Sequence, residues 1–110
     1  MKIVDSITYI SYHNGMKRGI KMEKSRKRII FHGDLQGIGF RYKTSYLAQS
    51  LGLTGWVKNE YDGTVHMEVQ GSEKDIIHLV MDLKKEETIR IESMDIEPIP
   101  CIAESGFSIL

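Results

Sequence analysis

The sequence predicts a two-layer α+β sandwich in the order βαββαβ, and three observations carry that expectation. Two segments each bear one apolar stripe at helical spacing. Four others have the alternation or β-rich composition of strands. A right-handed crossover then sets both helices on one face of an antiparallel sheet, the ferredoxin-like arrangement.

The elements follow in order. Arg28–His32 is a short β-rich run ending at Gly33. Beyond a glycine-studded loop, Phe40, Thr44, Leu47, Ala48 and Leu51 recur at helical spacing. Gly52 stands where a left-handed C-cap falls, and Leu53 follows to pack back on the helix. Thr54–Asn59 reads as a strand, with Tyr61-Asp62-Gly63 as the turn of a hairpin. In the return strand Val65, Met67 and Val69 alternate with His66, Glu68 and Gln70, so one face is buried. Ser72-Glu73-Lys74-Asp75 is a capping box opening a second helix, whose Ile76, Leu79, Val80 and Leu83 share a face. Ile89 and Ile91 alternate, then Met94 and Ile96 resume in the opposite phase, which places a β-bulge around Ser93. Pro98 and Pro100 end that strand, and Phe107–Leu110 reads as a short terminal one.

Composition bounds the function. A chain of 110 residues holds one hydrophobic core. No apolar run approaches the roughly 20 residues that span a bilayer. Asp5 interrupts any signal-peptide stretch, and Cys101 is the only cysteine, so a cytoplasmic protein is expected. The net charge of zero hides an asymmetry. Residues 1–27 carry seven Lys/Arg and two acids, while the remainder is acidic. An acidic body with a basic arm argues against a nucleic-acid surface. The reading is an extension over 1–27 and a domain over 28–110. The extension reads as a flexible arm, a hairpin around Asn14-Gly15, or a start placed upstream of Met16 or Met22.

The chemistry concentrates in Gly33-Asp34-Leu35-Gln36-Gly37-Ile38-Gly39-Phe40-Arg41. Three glycines in seven residues let successive N–H groups curl inward as an anion nest, and the helix N-terminus adds its unpaired amides. A cation in the first helical turn is disfavoured by the dipole, by about 0.3–1 kcal/mol. Arg41 makes sense there if an anion lies between its guanidinium and the amides. The alternative is a glycine-rich turn with a solvated arginine. Asn59 closes the next strand, which in a βαββ layout can lie beside the first and bring its end near this loop. It also suits the simple start of a hairpin turn. His13, His32, His66 and His78 sit in separate elements without metal-site spacing. Trp56 and Tyr42 read as packing residues.

Together these segments resemble the acylphosphatase family. Its first motif, G-x-V-Q-G-V-x-F-R, corresponds to Gly33 through Arg41 with Leu35 and Ile38 for the valines. Its second, G-x-V-x-N-x-x-D-G-x-V-E, corresponds to Gly55 through His66, with Asn59 at the asparagine of the motif and His66 for the acid. The similarity covers roughly 28–110. It implies a metal-free, cofactor-free hydrolase of small acyl phosphates. The amides of Leu35, Gln36, Gly37, Ile38, Gly39, Phe40 and Arg41 would bind phosphate together with the Arg41 side chain, and Asn59 would position the attacking water. A monomer, without nucleic-acid or membrane partners, is expected. Asp34 is a departure whose carboxylate would repel phosphate if it turned inward.

Two rivals remain. One is a phosphate- or carbamoyl-phosphate-binding module without turnover, as in a hydrogenase-maturation carbamoyltransferase family. Those proteins continue into cysteine-rich zinc segments that the sequence up to Leu110 does not contain. The other is an RNA-recognition fold, which needs an aromatic motif on a central strand; here Gly37-Ile38-Gly39-Phe40 enters a helix.

Overall fold

A computed structural model describes residues 23–37 and 39–110 of the chain. The hairpin reading of the basic extension lies outside those residues. In chain order the elements are β1 (Lys24–Asp34), α1 (Phe40–Ser50), β2 (Thr54–Asn59), β3 (Val65–Ser72), α2 (Glu73–Lys85), β4 (Arg90–Ile99) and β5 (Phe107–Ile109).

The strands form one sheet in the order β4-β1-β3-β2-β5. β1 pairs antiparallel with both β3 and β4, and β3 pairs antiparallel with β2. The sheet is not wholly antiparallel, however, because β5 runs parallel to β2. After Pro100 the chain turns back across the sheet to the free edge of β2. A segment returning from β4 must run against β4, and that is the direction of β2. β1 also starts earlier than its apolar pattern, at Lys24 rather than Arg28. As a central strand it has ladder partners on both sides, which hold polar residues extended regardless of local propensity.

Both helices cover the face that carries Ile29, Phe31, Val57, Val65, Met67 and Val69, all essentially inaccessible. Phe40, Thr44 and Ala48 of α1 and Ile76, Leu79 and Leu83 of α2 complete the core. The caps are where local chemistry puts them. Gly52 N–H reaches Gln49 O at 3.0 Å and Leu53 N–H reaches Ala48 O at 2.9 Å, a Schellman closure with Gly52 at φ 72°. Ser72 caps α2 by accepting from Asp75 N–H at 3.2 Å. The β1–β4 register slips between His32 and Gly33, so Glu92 is the extra residue of a bulge. That slip lets Ile91 and Met94, three apart, both pack on the core. No helix among the described residues is long and apolar enough to cross a membrane.

Candidate active site

Strand direction decides where the two motif segments meet. β2 does not lie beside β1, because β3 takes that place. Yet β1 and β2 are both antiparallel to β3, so their C-terminal ends open on the same edge of the sheet. Asn59 stands opposite Val65, whose side chain is buried in the helix-facing layer. By the period of two along a strand, the Asn59 side chain faces that layer too, toward the start of α1.

The loop leaving β1 is built for an anion. Gly37 and Gly39 adopt φ 82° and 80°, a region that costs other residues about 1–2 kcal/mol. An added Cβ at either would meet nothing within 4 Å, so backbone conformation alone requires glycine there. Gly39 is the N-cap of α1 and supplies no side-chain cap. Among the described residues, the amides of Leu35, Gln36, Gly37, Phe40, Arg41 and Tyr42 donate to no main-chain acceptor. Orphan donors of this kind, at the positive end of a helix, are what an anion would satisfy. Phe40 fixes the helix start by packing edge-on against Phe31, with ring centroids 5.2 Å apart.

Arg41 and Asn59 share one hollow of about 250 Å³ with Leu35, Gly37, Gly39, Phe40 and Tyr42. The Arg41 Nη1 donates to Leu110 O at 3.1 Å, just past β5, and no Asp or Glu side chain pairs with it among the described residues. Leu110 N–H is itself bonded to Val57 O at 2.9 Å, so Leu110 is held beside β2. Asn59 Oδ1 is buried and finds no partner among the described residues. Leaving such an acceptor unpaired costs about 1–3 kcal/mol, which a hydrogen-bonding ligand or water would recover.

Of the residues the motifs single out, Ile38 lies outside the described set. Gln36 contributes its amide to the loop, but its side chain turns away toward the β2–β3 turn, with Nε2 donating to Glu60 O at 2.7 Å and Thr64 O at 3.0 Å. Tyr42 is not a packing residue: it is 69% exposed and lines the hollow, because the second helical position lies off the apolar stripe. Asp34 is exposed and is not among the residues lining the hollow. His32 is engaged elsewhere, with Nε2 2.9 Å from Asp95 Oδ2. Among the described residues no three His, Cys, Asp or Glu side chains gather as a metal site would require. The turn that follows Asn59 is locked by Asp62, whose Oδ1 accepts from Thr64 Oγ1 at 2.6 Å and Thr64 N–H at 3.0 Å. Those bonds hold the Asp62 carboxyl below its ordinary pKa, the hydroxyl contributing most. Sequence spacing alone carried no sign of the Gln36 bridge or of the contact between Arg41 and Leu110.

Comparison with known proteins follows the same segment. The acylphosphatase family model matches residues 27–109. An acylphosphatase of Ligilactobacillus salivarius is 34% identical over 84 residues, covering 74% of this chain and 93% of that protein. The crystal structure of acylphosphatase from Bacillus subtilis superposes with a TM-score of 0.73 at 31% identity, over 78% of this chain and 98% of that one. Full-length HypF in its phosphate- and nucleotide-bound form superposes with a TM-score of 0.73 at 26% identity, over 84% of this chain but only 12% of HypF.

Proposed function

The chain belongs to the acylphosphatase family, and from that premise we propose that Arg41 and the loop amides grip the phosphoryl group while Asn59 aims the attacking water. The chain is a hydrolase of acyl phosphates. What supports this division of roles is one observation: among the described residues, a buried carboxamide oxygen without a partner and a guanidinium paired with no Asp or Glu line the same hollow as amides that bond to no main-chain acceptor.

The chemistry needs little more. Water attacks phosphorus in line with the bond to the carboxyl oxygen, that bond breaks, and a carboxylate leaves with the electron pair. A carboxylate is a weak base and leaves without protonation, so no general acid is required. The proton of the attacking water passes to a phosphoryl oxygen. Charge on the equatorial oxygens meets the Arg41 fork and the amides of residues 35–41. Asn59 Oδ1 accepts a hydrogen from the water and fixes its approach, converting an encounter into an oriented reaction. A cytoplasmic, monomeric enzyme without nucleic-acid partners completes the proposal, the lone thiol suiting a reducing compartment.

Hydrolysis of acetyl and benzoyl phosphate in the presence of EDTA tests it. Asn59→Ala should lose about 10²–10³ in kcat with little change in KM, because it acts on water. Arg41→Ala should damage both parameters. Near-normal turnover in either variant refutes the assignment. A binding module without turnover, the reading that the likeness to part of HypF keeps open, predicts phosphate binding with no steady release of product by the wild-type chain.

A further inference from the structure

We propose that the side chain of Gln36 is a positioning residue, setting the anion-binding loop at the correct distance from the strand end that carries Asn59. The proposal rests on the water-positioning role given to Asn59 above.

The difficulty it solves is topological. The loop leaves β1 and Asn59 ends β2, with β3 between them. At the usual spacing the two strands are about 10 Å apart, so no main-chain ladder sets one against the other. Among the described residues the loop has little main-chain restraint of its own. It contains two left-handed glycines, and the amides of Leu35, Gln36 and Gly37 bond to no main-chain carbonyl among the described residues.

The Gln36 carboxamide spans the gap. An amide nitrogen has two protons, and both are used, one to Glu60 O and one to Thr64 O. These are not arbitrary anchors. Glu60 N–H donates to Thr64 O at 2.9 Å, and Gly63 N–H donates to Glu60 O at 3.2 Å. Each carbonyl therefore accepts two hydrogens, one from the turn and one from Gln36. Asp62 and Thr64 stiffen the same turn from within. The two anchoring residues directly flank the Asn59–Val65 pair, Glu60 just after β2 and Thr64 just before β3. A displacement of the loop relative to this turn is a displacement of the bound phosphorus relative to the Asn59 carboxamide. Misplacing reacting groups by about 1 Å costs on the order of 10²-fold in rate.

A double-mutant cycle on kcat for acetyl phosphate, with inhibition by inorganic phosphate measured alongside, tests the role. Gln36→Ala should lower kcat by about 10–100-fold while the phosphate inhibition constant changes by less than about threefold, since the amides and Arg41 remain. Gln36→Met keeps the bulk without the donors and should behave alike, so it stands in if the alanine variant folds poorly. Combined with Asn59→Ala, the Gln36 substitution should cost nothing further, because no aimed water remains to be misaligned. A purely structural role would instead multiply the two losses. Multiplicative losses, or a Gln36→Ala variant with wild-type kcat beside a slow Asn59→Ala, overturn this proposal alone. Wild-type kcat in Asn59→Ala overturns the reading of Asn59 and this proposal with it.

Discussion

Two arginines stand at opposite ends of the sheet, and the contrast between them separates structure from function. Arg26, near the start of β1, is 2% exposed. Its Nη1 donates to Glu104 Oε1 at 2.7 Å and Gln70 Oε1 at 3.2 Å, and its Nη2 to Glu68 Oε1 at 2.9 Å and Glu104 Oε2 at 3.3 Å. The connection from β4 to β5 supplies Glu104 and lies over the polar face of the sheet, where Ile102 also exchanges two hydrogen bonds with Gln70 at 2.8 and 2.9 Å. Every direction of that guanidinium is answered. Among the described residues Arg41 makes one hydrogen bond, to Leu110 O, and faces the hollow it shares with Asn59. The buried Arg26 is matched within the protein, whereas the half-buried Arg41 keeps donors turned to the hollow.

Exchanging the two kinds of defect should sharpen that contrast. The largest effect is expected at Arg41. Arg41→Lys keeps the charge but not the two-point grip, so kcat/KM should fall by at least about 10²-fold with the denaturant midpoint nearly unchanged. A lysine variant with most of its activity would erase the distinction. Arg26→Ala should do the reverse. It strands two partly buried carboxylates and should cost about 3 kcal/mol in urea unfolding, while enzyme that remains folded keeps its KM. The smallest effect is a matter of pH. The hydrogen bond from Arg26 holds the Glu104 carboxyl below its ordinary pKa. Its contribution to stability is therefore complete above the usual carboxylate range of about 4.3 and fades as acid protonates the folded form. The difference in urea midpoint between wild type and Glu104→Gln should narrow as the pH falls from about 5 toward 3. A difference that stays constant would show that the strap is held by Gln70 and Ile102 instead.

The local chemistry was largely legible in the chain. The apolar stripes of both helices, the Gly52 closure, the Ser72 cap, the Asp62-Gly63 turn and the bulge near Ser93 all depend on residues within a few positions of one another. Arg41 and Asn59 were legible for the same reason, each within a long motif with its own turn chemistry. Arg26 was not. It lies in a run of Lys and Arg that reads as a solvated arm, and its burial depends on Glu104, 78 positions away.

The sequence by itself determined the element order and the cap and turn positions, and it singled out Arg41 and Asn59, because those follow from short-range periodicity, backbone preference and local motifs. Tertiary structure alone decided which strands neighbour one another. That placed β3 between β1 and β2, ran β5 parallel along the edge of β2, exposed Tyr42 at the hollow, and left Gln36 to bridge the gap. Such outcomes depend on side chains and strand edges meeting across dozens of residues, and no spacing rule within the chain encodes them.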